Sequence, residues 1–209
     1  MLVRFQAQRG DSARPWSVLG VSLGGMLALE LGSRALPHCS GIVVANSSSP
    51  RLSWWWERLR PSAALAMLRA VTCTGTEAQR EMHMLPLCVN GEAQREQAAA
   101  EWTRLATERP LPDRSFWAQL KAAKSWKAPA GCATPMLVLC SAQDRLCAAR
   151  CSHALASWYG AELREHPSAG HDITTDDGAW VATTVAAWAA QRHASSSFAD
   201  TTVNVPASR

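Results

Sequence analysis

Apolar positions along the chain fall into short continuous runs separated by stretches with helical spacing. The runs are Trp16 to Val21, Gly41 to Ala45 and Met136 to Cys140, with a weaker one at Glu162 to Glu165. All four read as strands, and Gly41 to Ala45 and Met136 to Cys140, apolar on both faces, as strands buried inside a parallel sheet. Leu27 to Leu36 is made of good helix formers and stops at Pro37, which cannot continue a helix. Helical patterns return from Ala148 to Tyr159 and from Ala179 to Gln191. Between the second and third strands, Arg51 to Lys127 holds no strand-like run. Its stretches of Ala, Arg, Glu, Leu and Trp predict several short helices, broken at Pro61, Gly91, Pro110 and Pro112.

Strands that alternate with helices predict an α/β fold with a parallel sheet, and the Arg51 to Lys127 segment becomes an insertion above that sheet. The chain then divides into a first core portion (1–50), a helical insertion (51–128), a second core portion (129–192) and a Ser/Thr-rich, aperiodic stretch from His193 to Arg209 that reads as a disordered tail. No internal repeat is visible. In sheets of this kind chemistry sits at the carboxyl ends of the strands, so the search narrows to the residues that follow them.

Composition excludes several classes. The chain has 209 residues, 47% hydrophobic and 18% charged, which suits one globular core and excludes global disorder. The net charge of +4 does not make a nucleic-acid surface: the lysines are only Lys121, Lys124 and Lys127, and the arginines are scattered. The opening MLVRFQAQRG has no signal-peptide core, and no apolar stretch approaches the roughly 20 residues of a membrane span. A cytoplasmic chain without membrane contact is expected. Seven cysteines (39, 73, 88, 132, 140, 147 and 151) are an odd number, read as buried free thiols in a reducing compartment.

The first strand runs into Gly20-Val21-Ser22-Leu23-Gly24, a G-x-S-x-G pattern at a strand-to-helix turn. The flanking glycines would remove side chains that clash in a strained turn, leaving the Ser22 hydroxyl projecting above the sheet. The amino end of the following helix offers unpaired N–H groups, beginning at Leu23, that can stabilise an oxyanion. The alternative is a glycine-rich turn that merely packs a helix close to a strand.

A serine nucleophile needs a base, and the base an orienting acid. His171 lies in Pro167-Ser168-Ala169-Gly170-His171-Asp172, after the fourth strand and before the last helix. His38, His83, His153, His166 and His193 read better as solvent-facing or core histidines. Asp144 closely follows the third strand. Asp172, Asp176 and Asp177 read instead as the start of the last helix, where negative charge suits the dipole. The order Ser22, Asp144, His171 is that of an α/β-hydrolase triad.

On these residues the chain resembles the bacterial α/β-hydrolases. The resemblance rests on WSVLGVSLGGMLALELGSR, GIVVANSSS, TPMLVLCSAQDRLC and EHPSAGHD, and covers about residues 14 to 191. It implies Ser22 as nucleophile, His171 as base and then acid, Asp144 as orienting acid, the Leu23 N–H as one oxyanion donor, and 51–127 as a cap over the site. The implied activity is hydrolysis of a small ester, thioester or related acyl substrate, with no metal or organic cofactor. The serine sets the chain apart from branches that use an aspartate nucleophile. In that family several strands precede the elbow, and a loop among them gives the second oxyanion N–H. Here Gly20 stands near the start and Met1 to Gln8 reads as the helix leading into the elbow strand. The earlier strands and the donor loop are expected to be missing, which leaves the elbow strand with an unpaired edge open to self-association.

Trp54, Trp55 and Trp56 open the insertion, either packed in a core or lining an apolar acyl pocket. Cys147 and Cys151, with His153 beyond and Cys140 before, could gather a metal, but there is no C-x-x-C pair and a cysteine-rich helix face is the plainer reading. Besides the hydrolase, two other readings stand: a catalytically silent fragment that keeps the triad residues, and a thiol-based metal module.

Overall fold

The computed structural model describes residues 14–72, 77–109 and 113–201. Four strands, β1 (Trp16–Val21), β2 (Cys39–Ala45), β3 (Met136–Ser141) and β4 (Glu162–His166), form one parallel sheet in the order β1-β2-β3-β4. Helix α1 (Leu23–Gly32) connects β1 to β2, and α7 (Ala149–Tyr159) connects β3 to β4. The long segment between β2 and β3 carries α2 (Trp55–Arg58), α3 (Pro61–Thr72), α4 (Glu77–Cys88), α5 (Glu92–Glu108) and α6 (Asp113–Ser125). After β4 come the single turn α8 (Ile173–Asp176) and α9 (Gly178–Thr201). The described residues thus form an α/β fold around four parallel strands.

The both-faces-apolar pattern of β2 and β3 is explained by what covers them. Ile42 and Val44 pack with Ala28, Leu29, Met136, Val138 and Leu155, beneath α1 and α7. Val43 and Ala45 point the other way, onto Leu137, Leu139, Ile173, Val181 and Trp188, beneath α8 and α9. The period of two in a strand sends neighbours to opposite faces, so a sheet covered on both sides demands apolar residues throughout. Burying each such side chain is worth about 1.5–3 kcal/mol. β1 has a strand neighbour on one side only among the described residues.

Helix ends follow local chemistry. Pro61 opens α3, where its missing N–H is no loss, and Gly91 directly precedes α5. The other two expected breaks, Pro110 and Pro112, lie outside the described residues, as does the expected helix at Met1 to Gln8. α4 passes through Pro86 to end at Cys88. α1 stops at Gly32 rather than Leu36, its end tightened by Ser33 N–H to the Leu29 carbonyl (2.9 Å) and Arg34 N–H to the Leu31 carbonyl (3.2 Å). The disordered-tail expectation needs correction up to Thr201, because α9 continues beyond Gln191 to that residue. Extending an existing helix requires no new nucleus, so weakly periodic Ala- and Ser-containing sequence can follow it.

The helices of the inserted segment have a small core of their own, centred on Leu85, Val89 and Ala98. Backbone hydrogen bonds fasten the segment to residues that follow the carboxyl ends of β3 and β4: Arg60 N–H to Leu146 O (2.9 Å), Ala148 N–H to Glu57 O (2.7 Å) and Asp172 N–H to Cys88 O (2.8 Å). The segment therefore sits as a cap over the end of the sheet where ligands bind in α/β folds. Among the described residues no helix is long and apolar enough to cross a membrane.

Candidate active site

Ser22 occupies the step between β1 and α1 with φ 55° and ψ −117°, a backbone region that costs a non-glycine residue about 1–3 kcal/mol. The strain is held by four hydrogen bonds. Its N–H donates to Ala45 O (2.8 Å), and its carbonyl accepts from Ser47 Oγ (2.7 Å), Gly25 N–H (3.0 Å) and Met26 N–H (3.3 Å). The turn is so tight that a Cβ on Gly20 would stand 2.0 Å from the Gly24 carbonyl oxygen, and one on Gly25 2.8 Å from Ser47 Cβ. A Cβ on Gly24 would meet nothing within 4 Å. The clash-removing glycines are thus Gly20 and Gly25, and Gly24 of the motif is not one of them. Leu23 begins α1, so its N–H has no acceptor within the helix.

Ser22 and Leu23 line a cavity of about 530 Å³ between the sheet end and the cap. Most of its wall is apolar, including Met26, Leu59, Met67 and Leu146. Trp55 belongs to this wall. Trp54 and Trp56 do not line it and stack on each other with ring centroids 5.1 Å apart. The three tryptophans are 66%, 67% and 43% exposed, so the core-packing reading is corrected for all of them. A second opening of about 560 Å³ borders Asp144 and Asn90 but not Ser22.

Asp144 and His171 are both buried, and His171 Nδ1 lies 2.8 Å from Asp144 Oδ2. The other carboxylate oxygen, Oδ1, accepts the N–H groups of Leu146 (2.7 Å) and Cys147 (2.9 Å). A carboxylate fixed on one side by two backbone donors offers its remaining oxygen to His171 Nδ1, and the tautomer with the proton on Nδ1 leaves Nε2 as an acceptor.

Asn46, directly after β2, is a site residue that sequence reasoning missed. It has φ 44° and is buried. Its Oδ1 accepts the Ser141 N–H (2.8 Å), while Nδ2 reaches Ser141 Oγ (2.8 Å), His171 O (2.8 Å) and Gly170 O (3.2 Å). Asn46 also lines the Ser22 cavity, so one side chain joins the serine side of the site to the histidine loop. Asp176 is the second omission. Its carboxylate accepts N–H groups from Asn90, Gly91 (2.8 Å) and Gly170, tying the cap to the same loop.

Of the three aspartates expected to begin the last helix only Asp177 does so, because Asp172 caps the separate turn α8 and Asp176 faces donors of the cap and the histidine loop. Asp172 caps α8 by accepting Thr175 N–H, and Asp177 accepts Trp180 N–H (2.9 Å) at the start of α9. The Trp180 N–H and then the His166 side chain hold the Asp177 carboxyl below the usual carboxylate range. His166 Nδ1 accepts the Ala169 N–H (2.9 Å), so Nε2 carries the proton facing Asp177 Oδ2 at 3.3 Å. His166 is therefore a buried histidine that shapes the loop leading to His171.

Of the residues considered for a metal, Cys140 and His153 come together with Glu165, their donor atoms within 4.8 Å of one another. Cys147 and Cys151 are not part of this group. His153 Nε2 and Glu165 Oε2 already pair at 2.8 Å, and burial together with Glu165 pushes the Cys140 thiol up to about 12, far from the thiolate a metal requires.

A family model described as the alpha/beta hydrolase family matches residues 2–184. No curated protein matches the chain. Among solved structures, an esterase from Exiguobacterium antarcticum superposes with a TM-score of 0.70 at 13% identity, covering 90% of this chain and 70% of that one. A hydrolase from Pseudomonas aeruginosa gives 0.60 at 21% identity, covering 83% and 63%. A thermophilic esterase gives 0.63 at 16% identity, covering 85% and 66%. At these identities the likeness is one of fold, and the chain spans about two thirds of the length of the three proteins. With the family model matched from residue 2 to residue 184 and the four-stranded sheet ending in a strained serine turn, the chain belongs to the alpha/beta hydrolase family.

Proposed function

We propose that the chain is a serine hydrolase that cleaves a small ester, thioester or related acyl substrate through an acyl-enzyme on Ser22. The reading is carried by a strained serine on the wall of an apolar cavity and a buried imidazole paired with a carboxylate, with Asn46, which lines the same cavity, donating to the main-chain carbonyl of that histidine. His171 Nε2 takes the Ser22 hydroxyl proton as Oγ attacks the acyl carbon. The Leu23 N–H donates to the oxyanion. The tetrahedral intermediate collapses, and His171 returns the proton to the departing alcohol or thiol. A water molecule then attacks the acyl-serine with His171 again as base, releasing the acid and restoring the serine. Asp144 orients the imidazole and stabilises its protonated form. Trp55 supplies an aromatic wall for the acyl or leaving group.

A second reading has its own observation. β1 is flanked by a strand on one side only among the described residues, none of which is identified as a second oxyanion donor, and the loss of one such donor costs about 10² to 10³ in rate. In that reading the site is assembled but catalytically impaired. We read the place of action as the cytosol, supported by the free thiols of Cys39, Cys88, Cys132, Cys140, Cys147 and Cys151. Turnover of 4-nitrophenyl acetate and butyrate tests the proposal. It expects a release of nitrophenolate that is lost in Ser22→Ala, and hydrolysis unchanged in that variant overturns it.

A further inference from the structure

The wall of the Ser22 cavity holds two cationic residues, Arg58 and Lys124, and no Asp or Glu. Lys124 is exposed, whereas Arg58, in the single turn α2, is half-buried. Arg58 Nε donates to Ser48 Oγ (3.3 Å), and Nη2 donates to the Ala123 carbonyl in α6. These bonds hold the guanidinium plane against both the strand-end loop and the cap. Neither partner is charged, and no carboxylate pairs with Arg58 among the described residues. Nη1 has no hydrogen-bond partner there either. Burial pulls the Arg58 guanidinium below its ordinary value, while arginine remains charged at any physiological pH. A fixed, partly dehydrated cation that faces the Cys147 and Cys151 thiols but no carboxylate among the described residues, on the wall of an apolar cavity, is matched by an anionic group brought in by the ligand.

We propose that the substrate of this site carries a carboxylate besides its scissile acyl bond, and that Arg58 receives that carboxylate with Lys124 adding charge at the exposed part of the wall. The inference rests on the reading of Ser22 as nucleophile at this cavity. A carboxylate fits better than a phosphate dianion, because two of the five guanidinium donors are already engaged and the remaining ones can satisfy a single fork of two oxygens. The apolar wall then accommodates the hydrocarbon between the two ends.

The test uses the full chain as Ser22→Ala, so that esters bind without turnover. Monomethyl esters of the straight-chain diacids from succinate to suberate are titrated beside the corresponding dimethyl esters, which differ only in the charge. At least one monoester should bind about tenfold or more tightly than its dimethyl partner, as a charge-assisted hydrogen bond provides. Arg58→Gln should remove that preference, and Arg58→Lys, which keeps the charge but not the fork, should retain part of it. Equal binding in every pair, or no binding of any monoester, overturns the proposal. So does a preference that persists undiminished in Arg58→Gln. Labelling of wild-type Ser22 by a neutral fluorophosphonate is measured separately: its failure sinks the hydrolase reading without changing the titration, and its success beside equal binding sinks only the carboxylate.

Discussion

The side-chain amide of Asn46 donates to the main-chain carbonyl of His171 across 2.8 Å, and the same amide holds Ser141 at the end of β3 through both its oxygen and its nitrogen. A single residue after β2 thereby sets how far the histidine loop stands from two strand ends. Replacing it by alanine would leave the Ser141 N–H and the His171 carbonyl buried without partners. Each buried group left unsatisfied costs about 1–3 kcal/mol. Asn46→Ala should lower the free energy of unfolding by about 2–4 kcal/mol in urea titrations. Activity should fall even at temperatures where the variant is fully folded.

The two glycines of the G-x-S-x-G pattern should respond in opposite ways. Gly20→Ala places a methyl group 2.0 Å from the Gly24 carbonyl oxygen and must distort the elbow. Gly24→Ala meets open space inside α1, where alanine is the better helix former by about 0.5–1 kcal/mol. Thermal unfolding should show a marked loss for the first substitution and no loss, or a small gain, for the second.

The carboxyl of Asp177 is held below its ordinary range by the Trp180 N–H and by His166. A depressed acid stabilises the fold above the unfolded-state value and loses that contribution as pH falls through the folded-state value. Compared by thermal unfolding, wild type should exceed Asp177→Asn by a constant margin from pH 7 down to pH 5. The margin should close below about pH 4. A margin that stays unchanged in acid would remove this pairing from the account.

Strand positions were legible because a sheet covered on both faces leaves uninterrupted apolar runs, as in GIVVA and MLVLC. Ser22, Asp144 and His171 stand out in the sequence as candidates because each follows a strand in a recognisable local pattern. Asn46, Asp176 and Arg58 were not, since each acts on groups distant in the chain. Asn46 sits in Ala-Asn-Ser-Ser-Ser, which reads as an ordinary loop, and its importance comes from bonds to residues 95 and 125 positions away. Asp176 resembled its neighbours Asp172 and Asp177, but these cap their own helices, while its carboxylate faces backbone donors from the cap. The tryptophans misled for a related reason. Their size favours burial, yet at the start of a four-residue helix on the cap they remain largely exposed.

The central claim is that Ser22 is a nucleophile activated by His171. Reaction of the folded chain with a neutral fluorophosphonate, followed by mass spectrometry of the modified peptide, tests it most directly. The account predicts one covalent adduct, on Ser22, with a labelling rate that falls about 10²-fold or more in His171→Ala. Folded wild-type protein that stays unmodified, or an adduct that forms equally fast in His171→Ala, would contradict it.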